Sequence, residues 1–510
     1  LSQDTDNHQP GGLKQTIGLI TGPVAAVVLL VFTPEPSHPE VARTAAVAVL
    51  MAIWWITEAI PIPATALLPV ALLPLLGVTS GTKVAAAYFN HIIFLFIGGF
   101  LMALAMQRWD LHRRIALRII LLVGSSPRRL LLGFMTASAF LSMWISNTAT
   151  TMMMVPIALA IIFRLKETAG GSLGRFPAGL LIGIAYASSI GGMATLIGTP
   201  PNQAFTQIFH IYFPEAPEIT FAGWFLFGLP CSVIFLAAAW LLLAGLFLPR
   251  GFGTSGNRKL FREEYARLGR MSFEERTVLT LFVMLAVLWL LRADIEIGLF
   301  VIPGWSSLLP VPDFVDDGTI AIFVGLALFV IPSRSRPGER LLDWRTANKL
   351  HWGIVLLFGG GFALAAAFKD SGLSAWLTGQ LTGLQGAPPV VLVASICTLM
   401  TFLTELTSNT ATTQMALPLL GSLALAIEVN PLLLMIPATL SASCAFMLPV
   451  ATPPNAIVFG SGEVRMADMM KAGLILNLIG VVLITTLVYL LGLIVFGIDP
   501  DVIPDWAISP

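Results

Sequence analysis

The tripeptide Ser146-Asn147-Thr148 returns as Ser408-Asn409-Thr410, and Thr199-Pro200-Pro201-Asn202 returns as Thr452-Pro453-Pro454-Asn455. Each copy lies inside a long apolar stretch. Hydroxyls and amides at membrane depth are costly unless they meet a partner or a ligand. Two copies therefore suggest two halves of one site. The side chains of Asn147, Thr148, Asn409 and Thr410 can donate to carboxylate oxygens. Oxygens of Ser142, Ser146, Thr404 and Ser408 could join backbone carbonyls around a hard cation such as sodium. No Lys or Arg lies in 130–163, 177–214, 388–428 or 431–462. A multivalent anion held there would lack a fixed positive partner. Bound cations would have to offset its charge, because uncompensated charge at low dielectric is very unfavourable. The pattern predicts cation-coupled transport. An enzyme is not expected, because no membrane-depth His, Cys and acidic residues approach catalytic spacing.

The elements that must hold these groups follow from composition. Hydrophobic residues make up 56% of the 510 and charged ones 11%, against about 25% charged in soluble domains. The chain is polytopic, and its zero net charge gives no reason to expect nucleic acid. Cys231, Cys397 and Cys444 lie far apart in apolar segments, which fits buried thiols. Apolar stretches fall near 15–32, 41–57, 62–78, 89–106, 130–163, 177–214, 223–248, 277–292, 319–331, 351–369, 388–428, 431–460 and 473–497. The first lacks a clear small-residue cleavage site and is expected to be a retained span. Stretches 130–163 and 388–428 are too long for one span and are broken by Ser-Asn-Thr. The arms of the first, 130–145 and 149–163, are about 16 residues, or roughly 24 Å of helix, short of a core of about 30 Å. Re-entrant hairpins are expected. Two consecutive prolines break a helix, so 177–214 and 431–460 read as crossing helices unwound at mid-membrane.

With both hairpins in place and the N-terminus inside, all but four of the 28 Lys and Arg fall on the cytoplasmic side; the exceptions are Arg43, Lys83, Arg292 and Lys369. The bias predicts about eleven transmembrane helices, with the N-terminus cytoplasmic and the C-terminus outside. Residues Asp110 to Val123 alternate basic and apolar types as an interfacial helix would, and the polar stretch 250–277 reads as a solvated connector. Glu405 precedes the second triplet and could bind a cation or hydrogen-bond nearby backbone. Glu58, His91 and His351 read as structural or membrane-interface residues, and the Met-rich runs as packing.

An offset of 262 carries Ser146-Asn147-Thr148 onto Ser408-Asn409-Thr410, Met153 onto Met415, Pro156 onto Pro418, and Phe96-Gly98-Gly99-Phe100 onto Phe358-Gly360-Gly361-Phe362. A lone Ser-Asn-Thr would read as a helix cap; two within matching flanks read as a site. The charge map sends the hairpins in from opposite faces, as in inverted-repeat secondary transporters with a midplane site.

At these residues the chain resembles the divalent anion/sodium symporter family of sodium-coupled dicarboxylate and citrate transporters. WWITEAIPIPATALLP, WISNTATTMMMVPIALAI, TELTSNTATTQMALP and CAFMLPVATPPNAIVFGSGEVRMADMMKAG carry the resemblance, which covers nearly the whole chain. It implies an all-α polytopic homodimer in which a scaffold supports an elevator-type transport domain. By position it implies a first sodium site of Ser142, Ser146, Asn147 and the Gly198 carbonyl. The second would use Thr404, Thr407, Asn409 and the Ala451 carbonyl. Substrate would touch Asn147, Thr148, Thr199, Asn409, Thr410, Thr452 and Pro453. The expected division is 1–129 N-terminal scaffold, 130–249 first transport half, 250–276 linker, 277–387 second scaffold part and 388–510 second transport half. The expected function is sodium-coupled import of di- or tricarboxylates such as succinate, fumarate, malate or citrate, with sodium ions co-transported. The alternatives are a sodium-independent dicarboxylate exchanger and a sulfate symporter, with a channel or intramembrane enzyme as remote readings. The expected location is the plasma or inner membrane, with a small-molecule carboxylate and the lipid bilayer as partners.

Overall fold

The computed structural model describes residues 12–32, 37–124, 126–169, 173–248, 257–297, 300–381, 386, 388–500 and 502–508. Helices α1 (Leu13–Val31) and α2 (Pro39–Thr57) precede the short α3 (Ile62–Thr65), α4 (Leu68–Leu75) and α5 (Gly81–Ala87), then α6 (His91–Arg108) and α7 (Leu111–Val123). A hairpin of α8 (Pro127–Ser142) and α9 (Asn147–Ala169) leads to the broken pair α10 (Phe176–Gly192) and α11 (Pro200–Tyr212). Next come α12 (Phe221–Phe247), α13 (Asn257–Arg267) and α14 (Phe273–Leu290), then an antiparallel strand pair, β1 (Ile295–Ile297) with β2 (Phe300–Ile302). The second half runs α15 (Asp317–Val330), α16 (Trp344–Ala347), α17 (Trp352–Asp370) and α18 (Leu373–Leu381). It continues with the hairpin α19 (Pro389–Thr404) and α20 (Asn409–Ala426), the broken pair α21 (Leu432–Ser441) and α22 (Pro453–Gly460), α23 (Met466–Phe496) and α24 (Asp505–Ile508). Among the described residues the architecture is helical apart from that strand pair and an isolated bridge between Pro332 and Arg340. Seven of its helical segments are long and apolar enough to cross a membrane.

Local sequence explains the breaks. Pro200 and Pro201 occupy the first turn of α11, and Pro453 and Pro454 the first turn of α22. Proline suits that turn because its missing N–H has no intrahelical acceptor there. Thr-Pro-Pro-Asn thus starts a new helix after an extended Thr: Thr199 has φ −143° and ψ 139°, Thr452 φ −143° and ψ 149°. Helix α9 runs to Ala169, beyond the expected end near 163, because the charged turn carrying Arg164 and Lys166 continues it. Lys166 Nζ lies 2.6 Å from Glu463 Oε1, which ties that extension to the chain after α22.

The repeat extends to backbone geometry. Asp110 (φ 54°) and Gly372 (φ 78°) both take left-handed conformations immediately before α7 and α18, and their numbers differ by the same 262. The halves also interlock. Helix α22 of the second half packs on α9 and α10 of the first, and α11 of the first packs on α20 and α21 of the second.

Ion pairs respect the charge map. Arg108 pairs with Glu339 at 2.6 Å and Asp343 at 2.7 Å, all on the expected cytoplasmic side. Lys83 pairs with Asp370 at 2.8 Å, and Arg292 with Asp317 at 2.6 Å and Glu218 at 2.7 Å, all on the expected outer side. Among the described residues every ion pair joins groups that the map places on one face.

The polar connector differs from expectation. Its described part folds as α13, which packs on α7, and Phe261 is buried with its ring 6.3 Å from that of Phe134 on α8. Arg114 donates to Gly269 O (3.0 Å) and Leu268 O (3.1 Å) and pairs with Glu275 at 2.8 Å. A connector that buries an aromatic ring and a guanidinium is a packed strap. Helix α7 likewise lies half inside the protein: Leu111, Ala116, Leu117 and Ile120 face its core.

Candidate functional site

The first motif pair folds around one small space. Ser142 ends α8 and Asn147 begins α9, and the Ser142 hydroxyl donates to Asn147 Oδ1 at 2.6 Å. Thr195, in the unwound stretch, donates to Met143 O (2.5 Å) and accepts from Gly198 N (3.1 Å), so it ties the hairpin tip to the break. The Asn202 amide donates to Thr195 O at 2.8 Å and to Gly192 O and Met193 O at 3.3 Å. A methyl group placed on Gly192 would sit 2.6 Å from Asn147 Oδ1 and 3.1 Å from Gly198 O. Those two neutral oxygens therefore converge where only a glycine leaves room. Ser146 Oγ accepts from Ala149 N at 3.3 Å and caps α9.

The second pair repeats the arrangement. Thr404 Oγ1 lies 2.7 Å from Asn409 Oδ1 and 2.8 Å from Ala442 O. The Asn455 amide donates at 3.0 Å to both Ala445 O and Leu448 O. These acceptors stand ten and seven residues before Asn455, as Gly192 and Thr195 stand before Asn202. The Thr407 hydroxyl engages Leu403 O (2.9 Å) and Thr412 Oγ1 (2.5 Å). Ala451 lies half-buried in the unwound stretch, in register with Gly198.

Glu405 takes the structural role. Its carboxylate accepts from Phe446 N (2.7 Å), Met447 N (2.8 Å), Leu448 N (3.1 Å) and Asn477 Nδ2 (2.8 Å). The unwound backbone between α21 and α22 leaves N–H groups without helical partners, and Glu405 satisfies three of them.

Four helix N-termini begin at the motifs: α9 at Asn147, α20 at Asn409, α11 at Pro200 and α22 at Pro453. Such ends carry partial positive charge and unpaired N–H groups, which suit an anion where no Lys or Arg is present. Neutral hydroxyl, amide and carbonyl oxygens suit a hard monovalent cation better than a transition metal. Among the described residues no cluster of three or more His, Cys, Asp or Glu could hold a metal ion. Thr199 and Thr452 are buried at the two breaks, and Pro453 is exposed. The hairpins differ in exposure: Thr148 is half-buried and Met152 60% exposed, while Thr410 is buried and Gln414, the counterpart of Met152, is 0% exposed.

The family described as "Sodium:sulfate symporter transmembrane region" matches residues 14–498. The chain belongs to this family. It is similar to the sodium-dependent dicarboxylate transporter SdcS of Staphylococcus saprophyticus, 44% identical over 493 residues that cover 95% of this chain and 93% of that protein. SdcS of Staphylococcus aureus (strain bovine RF122) is also 44% identical, over 505 residues covering 96% of this chain and 94% of that protein. Among solved structures, the Alcanivorax borkumensis YdaH transporter aligns with TM-score 0.57 at 15% identity, covering 88% of this chain and 99% of that one. MtrF of Neisseria gonorrhoeae aligns with TM-score 0.56 at 13% identity, covering 92% and 98%. These two likenesses are of fold alone.

Within this symporter family member, sequence reasoning missed Thr195, Gly192 and the clamping role of Asn202 and Asn455. The duplicated Pro-Pro-Asn was the available signal. The backbone carbonyls that the asparagines hold have no sequence signature.

Proposed function

We propose that the chain is a secondary active transporter that couples sodium to import of C4-dicarboxylates or citrate. Its membership of the sodium:sulfate symporter family and its 44% identity to transporters named sodium-dependent dicarboxylate carriers support the reading. The observation that carries it is the matched pair of neutral oxygen cradles, each hinged on an asparagine that starts a helix.

In this mechanism one sodium binds among Ser142, Ser146, Asn147 and the Gly198 carbonyl, and another among Thr404, Thr407, Asn409 and the Ala451 carbonyl. The substrate carboxylates meet Thr148, Thr199, Thr410, Thr452 and Pro453, and the amide Nδ2 atoms of Asn147 and Asn409. Each asparagine thus faces cation with its oxygen and carboxylate with its nitrogen. Without the cations the dianion has only helix ends to balance it, so affinity for the two is coupled. The hairpins and broken helices, 130–249 and 388–510, move as the transport part. The segments 1–129 and 277–387 form the scaffold, joined through 250–276, in a homodimeric elevator with inverted halves. About eleven helices span the plasma or inner membrane, with the N-terminus cytoplasmic and the C-terminus outside.

The test is uptake of labelled succinate, citrate and sulfate into proteoliposomes with and without a sodium gradient. Sodium-dependent, saturable succinate or citrate uptake is expected. Sodium-independent counterflow from preloaded liposomes would replace symport by exchange, and uptake of sulfate alone would replace carboxylate as substrate.

A further inference from the structure

A cavity of about 550 Å³ lies at the expected cytoplasmic end, and its lining reaches Leu141, the neighbour of Ser142 in the first cradle. It is enclosed by α7 (His112, Arg113, Ala116, Leu117), the hairpin arm α9 (Met153, Pro156, Ile157, Ala160, Arg164) and the strap α13 (Phe261, Glu264, Arg267). Its depth is apolar: Ala116, Leu117, Met154, Ile161 and Phe261 are each at most 5% exposed. Its rim is cationic. Arg113, Arg164 and Arg267 border it with a single carboxylate, Glu264. Arg113 lies 3.3 Å and Arg267 2.5 Å from Glu264, and Arg164 lies 3.7 Å from Glu263. Three lining guanidiniums thus face one lining carboxylate, and the rim is net positive. His112 commits Nδ1 to Met106 O at 3.1 Å, so its ring is fixed in orientation beside the cavity.

We infer that this cavity binds an amphipathic monoanion, with an acyl chain in the apolar depth and a carboxylate or phosphodiester head at Arg113, Arg164 and Arg267. Size and charge both select this class. The volume falls within the range of small-molecule sites, and a compact dicarboxylate would desolvate its charge against apolar walls without recompense. A basic pocket between helices on the cytoplasmic side is also where lipid head groups are held. The chain supplies two neighbours for such a ligand: amphipathic α7, which the sequence pattern marks as interfacial, and α9, whose first residue is Asn147. A ligand wedged between α7, the strap and α9 lies against the hairpin that carries the first cradle.

The probe is a photoactivatable long-chain fatty acid, applied to the full-length protein in nanodiscs of neutral lipid and mapped by peptide. Label is expected on 153–164, and it should fall in Ala160→Trp, whose ring takes up part of the cavity. Arg113→Gln should lower labelling about tenfold, the loss of one charge-assisted contact. Glu264→Gln breaks the same ion pair but should raise labelling, because it leaves the guanidiniums and removes the competing charge. Equal losses in Arg113→Gln and Glu264→Gln would mean that the pair only braces the strap, and would overturn the site. So would label on 153–164 that is undiminished in monodisperse Ala160→Trp, or label displaced by millimolar succinate. Nanodiscs containing phosphatidylglycerol separate the sources: protection identifies a membrane lipid as occupant, and undiminished saturable labelling identifies the free acid. Labelling is read without transport, so failure here is distinguishable from failure of the proposed function.

Discussion

Gly192→Ala is the sharpest test of the first cradle. The added carbon lies 2.6 Å from Asn147 Oδ1 and 3.1 Å from Gly198 O, so it enters the space those oxygens share. Gly192 ends α10 in helical conformation, where alanine is the better helix former. The loss should therefore fall on the ion more than on the fold. Suppose the carbon pushes a cation from about 2.4 to about 3.0 Å from two oxygens that each carry about half a charge. At an effective dielectric of about 20, each oxygen then loses about 0.7 kcal/mol. Two together lose about 1.4 kcal/mol, or about tenfold in affinity. The assay is succinate uptake into proteoliposomes as a function of external sodium. The half-saturating sodium concentration should rise at least about tenfold, with uptake partly recovered at high sodium. Gly245→Ala is the control, since a methyl there meets nothing within 4 Å. An unchanged sodium dependence in monodisperse Gly192→Ala would refute the cradle.

Asn147→Ala or Asn409→Ala should abolish coupled uptake in protein that still elutes as a single species; near-normal uptake in either removes that asparagine from the site. Thr148→Ala and Thr410→Ala should raise the half-saturating succinate concentration more than that of sodium, measured by crossing the two titrations. Glu405→Gln replaces two accepting carboxylate oxygens by one, against four donors, and should lower thermal stability by about 2–3 kcal/mol without altering the sodium titration of the surviving protein. Asn455→Ala strands two carbonyls, Ala445 O and Leu448 O, and should cost about 2 kcal/mol in thermal unfolding. A Tm matching the parent would show that the break is held by something else.

Much of the repeat could be read before any coordinates. Polar triplets at a constant offset in apolar sequence have few explanations, and the left-handed residues before α7 and α18 keep that offset. The grouping of Ser142 with Asn147 and of Thr404 with Asn409 came from the family resemblance; their hydrogen bonds, each across five residues, needed coordinates. The clamps escaped because Asn202 and Asn455 hold main-chain oxygens, which any residue supplies. The strap escaped because α13 is polar along most of its length, and Phe261 alone does not mark a buried face. The choice for Glu405 needed coordinates, since a carboxylate beside an unwound backbone and one beside a cation look alike in sequence.

The hydroxyls of Ser142 and Thr404 carry a consequence for the return stroke of a carrier. Ser142 directs its proton at Asn147 Oδ1, and the one proton of Thr404 can reach either Asn409 Oδ1 or Ala442 O. A hydroxyl can turn about its C–O bond, giving either a hydrogen to that oxygen or a lone pair to an ion beside it. The same two side chains can therefore keep the amide oxygens satisfied on the unloaded passage and share them with cargo on the loaded one. If the cradles hold sodium as proposed, the difference between the two passages would come down to the rotation of a single proton in each half.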